Sequence, residues 1–159
     1  MIVTVITLKR IQRQTVPAME RELTTITTRS LLGATASLTP CNHFVALLIC
    51  DATTIGTQEI TDFARSLIAS GCSYFCCWGP DCERVHDIFD EEFVNDGTNT
   101  ETIMTTWHAS ETLEEFATFA LLNTEPTQSF RATTNSTVAI VIDDYISVSR
   151  MRAALVATP

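Results

Sequence analysis

Four times between residues 43 and 157, a short apolar run gives way to a segment whose apolar residues recur at helical spacing. No other feature constrains the fold as strongly. Parallel strands cannot be joined by a tight turn; each pair needs a crossover of a dozen or more residues, and a helix supplies it. Strand and helix in strict succession therefore predict an α/β domain, Rossmann-like or flavodoxin-like, with a mainly parallel sheet and helices on both faces.

The first run, "HFVALLICD" (43–51), is continuously apolar and ends in an acid, as a strand covered on both faces reads. Ile60, Phe63, Ala64, Leu67 and Ile68 then repeat at helical spacing, with Thr57 as the expected N-cap and Gly71 at the C′ position. "CSYFCCW" (72–78) is the second strand, and Cys82, Val85, Phe89 and Phe93 mark the inner stripe of the next helix. "ETIMTTW" (101–107) is the third. Ser110 is the expected cap of a helix carrying Leu113, Phe116, Ala117, Ala120 and Leu121, which stops before Pro126. "STVAIVID" (136–143) is the fourth strand, followed by a weaker helix from about Asp144 to Ala157.

The first 42 residues carry less pattern. "IVTVITL" (2–8) alternates like an edge strand, and residues 17–32 are expected to form a helix ending at Gly33, with Met19, Leu23 and Ile26 as a thin apolar stripe. With no repeat or low-complexity linker, residues 1–159 are read as one domain: an N-terminal strand and helix in 1–42, then a β-α repeating core in 43–157.

Charge and composition narrow the partners. The formal net charge is −9, and the basic residues cluster only at Lys9, Arg10 and Arg13 and at Arg150 and Arg152. Phosphate backbones and anionic membrane surfaces both require a basic stripe, so neither is an expected partner. No apolar run reaches the roughly 20 residues that span a bilayer, and "MIVTVITLKR" has its charges on the wrong side for a signal segment. Lys9 is the single lysine, which leaves Schiff-base or phosphate-clamping lysine chemistry one peripheral candidate. Of six cysteines, Cys50, Cys72, Cys76 and Cys77 lie in strand-like runs rather than loops. Buried, reduced thiols in a cytoplasmic protein are the expectation.

In an open parallel sheet, ligands bind beyond the carboxyl ends of the strands. Those ends carry Asp51, then Trp78, Gly79, Pro80 and Asp81, then Trp107 and His108, and finally Asp143 and Asp144. Cys82 and His86 stand one turn apart in the helix that begins at the same rim, whereas His43 falls at the far end of its strand. Cys82, His86 and His108 with Asp51 or Asp81 have the donor chemistry of a zinc site. They lack paired CxxC or HxxxH spacing, so no metal is expected. A thiolate at Cys82, favoured by a helix N-terminus and served by His108 or His86, is the catalytic alternative, with Asp51 or Asp81 as the orienting charge. Trp78 and Trp107, with Asp143, are the expected ligand-binding residues, the indoles offering flat faces for stacking. GxGxxG, GxxxxGK[ST] and GxSxG are all missing, and Asp51 has Thr53 where a DxD pair would place a second acid. No cofactor is indicated.

The stretches "CCWGPDC" and "IMTTWHASETLEEF" resemble a bacterial domain family of unknown function over roughly residues 43–142. The matching positions are Trp78, Gly79, Asp81, Cys82, Thr105, Thr106, Trp107 and His108, while the helix after Cys82 departs from the pattern at Val85, His86 and Asp87. The resemblance implies no activity. The leading expectation is a small acidic binding or regulatory module that recognises a partner protein, itself included, or a small ligand at the strand rim. A small enzyme using Cys82 at that rim is the alternative.

Overall fold

The computed structural model describes residues 2–6, 21–38, 42–95, 102–142, 149–150 and 153–154. Six strands form one sheet: β1 (Ile2–Ile6), β2 (Glu22–Thr28), β3 (His43–Ile49), β4 (Cys72–Trp78), β5 (Met104–His108) and β6 (Thr134–Ile142). Their order is β1-β2-β6-β3-β4-β5. β1 runs antiparallel to β2, and every other neighbouring pair is parallel. The connecting helices are α1 (Leu31–Thr35), α2 (Thr57–Ala69), α3 (Cys82–Asn95), α4 (Leu113–Leu122) and α5 (Gln128–Arg131). The α/β expectation, mainly parallel and covered on both faces, describes this architecture.

Alternation along the central strands builds two cores. Phe44, Ala46 and Leu48 of β3, with Phe75 and Cys77 of β4, pack under α1, α2 and α3 through Leu31, Ile60, Phe63, Leu67, Val85 and Phe89. Val45, Leu47 and Ile49, with Tyr74 and Cys76, pack under α4 through Leu113, Phe116, Ala117 and Ala120. Ala154, in the helical residues 153–154, joins that second core. Phe75 and Phe89 lie face to face, with ring centroids 4.2 Å apart.

The N-terminal expectation needs correction. Residues 22–28, placed in a helix by the Met19, Leu23 and Ile26 spacing, form strand β2. "ELTTITT" is dominated by β-branched threonine and isoleucine, which lose rotamer freedom in a helix and fit a pleated surface. Its backbone groups are satisfied by parallel pairing with β6 from Glu22↔Ser136 to Thr28↔Ile142, a partner over a hundred residues away that local periodicity cannot reveal. Gly33 sits inside α1, where a Cβ would collide with the Thr28 hydroxyl. Smaller shifts are at element ends: Gly56 rather than Thr57 precedes α2, and Thr112 rather than Ser110 caps α4. Gly71 does end α2, with φ +97° and its N–H bonded to the Ile68 carbonyl.

Candidate functional site: the rim beyond β3, β4 and β5

β3, β4 and β5 are consecutive in the sheet, so their carboxyl ends form one continuous rim. The Gly79–Asp81 turn closes it. Gly79 has φ +121° and Asp81 φ +62°, a conformation that aspartate tolerates better than most side chains. The turn is tied back to β3, since the Cys50 N–H bonds the Trp78 carbonyl and the Ala52 N–H bonds the Pro80 carbonyl. Arg84, in the first turn of α3, donates to Asp81 at 2.6 Å, to the Ala52 carbonyl at 2.6 Å and to the Ile55 carbonyl at 3.1 Å. One guanidinium thus fastens the two loops of the rim.

Asp51 is exposed but already engaged. Its Oδ1 accepts the Thr53 N–H at 3.0 Å and the Thr53 hydroxyl at 2.6 Å, and these bonds hold its carboxyl below the usual aspartate range. It faces its own loop, not Cys82.

Cys82 opens α3 and is buried beneath the exposed Pro80 and Asp81. Its sulfur is bonded by the Cys77 thiol and by backbone N–H groups of His108, Cys82 and Gly79, which together outweigh burial and bring its pKa down to about 7. Dipoles fixed on a thiolate favour the charged form even where water is excluded. Cys77 bears the reverse effect: hydrogen bonding to Cys82, reinforced by burial, pushes its thiol well above the ordinary range. Cys50, at the end of β3, is raised to about 12, mainly by burial.

His86 and Trp107 form a second group on the outer side of α3. The two rings are 4.5 Å apart. His86 Nδ1 lies 3.0 Å from Asp87, and its Nε2 lies 3.1 Å from the Thr105 hydroxyl and 3.5 Å from Asp90. Thr105 donates in turn to Asp90 at 2.6 Å. Trp107 is 44% exposed, against 9% for His86.

His108 belongs to the other face. It packs on Phe116 and Phe119 at 5.1 and 4.5 Å, with Nδ1 3.2 Å from Glu111 and Nε2 3.2 Å from the Thr106 hydroxyl. Burial depresses its pKa despite the opposing pull of Glu111. Trp78 lies beside it under α4, 6.4 Å from Phe116, with its indole N–H donated to the Glu111 carbonyl at 2.8 Å.

The expected rim residues are therefore on one rim but not in one site. Register pairs Cys77 with Trp107 and Trp78 with His108. Trp107 with His86 and Cys82 thus lie on the α3 face, while Trp78 and His108 lie on the α4 face. The two indoles do not flank a common slot. His108 reaches Cys82 through its backbone N–H, while its imidazole faces away. Among the described residues no three His, Cys, Asp or Glu side chains converge to hold a metal. Asp143 and Asp144 lie outside the described residues. His43 stands at the opposite strand end, as expected, with Nδ1 2.6 Å from the Thr133 hydroxyl.

Arg84, Asp90 and the contact of Cys77 with residue 82 were not singled out by sequence, and Thr105 was marked only by the family resemblance. The i,i+4 spacing of His86 and Asp90, and strand parity across Thr105, Thr106, Trp107 and His108, were the signals that carried them.

Residues 22–157 match the model of a family described as Domain of unknown function (DUF7684). The chain belongs to this family. Both clusters of the rim and all of the parallel sheet fall inside the matched span, and β1 falls before it. No curated protein matches the chain. Among the described residues no helix is long and apolar enough to cross a membrane.

Proposed function

We propose that this domain is a binding module that takes an extended, basic segment of a partner protein along the outer edge of β5. The carrying observation is the character of that edge. β5 is the last strand of the sheet, and among the described residues it pairs with β4 alone. Exposed sheet edges are usually blunted by charge, proline or a bulge. Met104–His108 reads MTTWH, with no Lys, Arg, Asp, Glu or Pro and a regular register. It also exposes a large apolar side chain on each face, Met104 at 40% and Trp107 at 44%.

An added strand would gain main-chain bonds from β5, while Met104 and Trp107 grip its alternating side chains. The surroundings favour a cationic segment. Asp87 and Asp90 stand beside Trp107 on one side and Glu111 is half-exposed on the other. An arginine laid on the Trp107 ring beside Asp87 and Asp90 gains about 0.5–2 kcal/mol from the ring, in addition to its ion pairs. The chain's net charge of −9 opposes pairing with a second copy and supports a basic partner. The His108 imidazole lies on the opposite face of the sheet from Cys82, which supports binding over a Cys82–His108 catalytic pair at this rim.

Extended peptides of alternating valine and arginine, and matched sets with glutamate or glutamine, test the reading by titration against intrinsic tryptophan fluorescence. The arginine set is expected to bind, to weaken as salt rises, and to lose binding with Trp107→Lys. Equal binding of the glutamate set, indifference to Trp107→Lys, or sedimentation as a β5-dependent dimer would contradict it.

A further inference from the structure

The binding edge leaves the thiols unused. Three of the six cysteines gather where β3 and β4 end and α3 begins: Cys50, Cys77 and Cys82, all in the core beneath α1–α3. The Cys77 thiol donates to the Cys82 carbonyl oxygen at 3.1 Å, so the side chain of Cys77 meets residue 82 directly. The turn between them reverses through the left-handed Gly79 and Asp81, which returns residue 82 to the side of β4 from which Cys77 projects. Cys82 occupies the first position of a 14-residue helix, where the backbone N–H groups of the first turn, lacking partners within the helix, favour a thiolate.

We propose that Cys77 and Cys82 are a redox-active dithiol, which a hydroperoxide oxidises to an intramolecular disulfide. The roles differ by environment. Cys82, cradled by backbone N–H groups, supplies the thiolate, and Cys77, held as a thiol, resolves the product. The Cys82 sulfur attacks the distal oxygen of the hydroperoxide. An S–O bond forms, the O–O bond breaks, and the departing alkoxide takes up the proton that Cys82 had released, leaving as the alcohol (water, for hydrogen peroxide). Cys77 then attacks the sulfenic sulfur. The S–S bond forms, the S–O bond breaks, and hydroxide leaves with the Cys77 proton as water. Two thiols have lost two electrons, and one peroxide has gained them.

Burial also narrows the oxidant class. Cys82 is 1% exposed. A bulky protein disulfide cannot align with a sulfur so deeply covered, which favours a small hydroperoxide. Cys50 shares the core but has neither the N–H cradle nor a direct bond to Cys82, and burial keeps it protonated.

The test uses the full chain and hydrogen peroxide, followed by alkylation in denaturant and peptide mass mapping. The expected product is lower in mass by two hydrogens and carries a Cys77–Cys82 link. In Cys77→Ala the link is lost, and dimedone labels Cys82 several-fold more than in the unmodified chain. Cys82→Ala loses both signals. Cys77→Ser and Cys82→Ser serve where an alanine variant fails to fold, and mapping of the unmodified chain decides on its own. A disulfide joining Cys82 to Cys50 or Cys76 would overturn the proposal. So would Cys77 and Cys82 both recovered alkylated after peroxide treatment, or equal dimedone labelling with and without Cys77.

Discussion

Among the described residues, Arg84 is the side chain that fastens the β3–α2 loop to the start of α3, so its removal gives a sharp test of how the rim is held. Arg84→Met keeps most of the apolar stem and deletes the guanidinium, and with it two bonds to carbonyls and one to Asp81. Hydrogen bonds to charged groups contribute about 1.5–3 kcal/mol each when buried. Arg84 is 32% exposed, so water can re-solvate part of what is lost, and about 2 kcal/mol for the pair of carbonyl bonds is the reasonable figure. The Asp81 ion pair is equally exposed and adds under about 1 kcal/mol. For a chain of this size each kcal/mol shifts Tm by about 2–4 °C, so Arg84→Met should lower Tm by roughly 4–12 °C. Asp81→Asn retains a side chain that tolerates positive φ and should cost less than about 1 kcal/mol. Urea and thermal unfolding followed by circular dichroism read both. An Arg84→Met variant within about 0.5 kcal/mol of the parent, or an Asp81→Asn variant equally damaged, would refute the assignment of the clamp to the carbonyls.

Stability should vary with pH in two opposite directions. Cys82 titrates near 7 when folded against an ordinary 9.0, so the unfolded chain binds more protons between those values and stability rises from pH 7 to 9. Cys50 and Cys72 are raised to about 12; above pH 9 they stay protonated only when folded, and each removes up to about 1.4 kcal/mol per pH unit as pH rises towards 12. Chemical denaturation at stepped pH should give a maximum near pH 9, and a monotonic decline from pH 7 would contradict the Cys82 environment. Thiolate absorbance should resolve one cysteine near 7 in the folded chain, absent in Cys82→Ala. Thr112→Ala removes the reciprocal capping box with Glu115 and should cost about 1 kcal/mol without affecting peptide binding, by thermal melt and fluorescence titration.

The parallel core was legible in the sequence because each strand from β3 to β6 is short, apolar and followed by a helix-period segment, and the two signals exclude one another locally. β2 was not. Met19, Leu23 and Ile26 fit a helical stripe by spacing alone, and only β6, distant in sequence, gives "ELTTITT" its strand partner. The rim residues were equally legible, since they follow from where strands end. Their division between two faces was readable in principle from strand parity, because Trp107 and His108 are adjacent and must point oppositely. The bond from the His108 backbone to Cys82 had no sequence signal, as backbone donors carry no residue identity.

The central claim concerns the outer edge of β5, and amide hydrogen exchange across Met104–His108 tests it most directly. In the free protein, the β5 amides that point away from β4 should exchange much faster than their neighbours in the β4–β5 ladder. With a saturating alternating valine–arginine peptide, those outward amides should slow while the ladder amides hold steady. Outward amides that stay fast with peptide bound, or protection that appears only elsewhere, would contradict β5 as the docking edge.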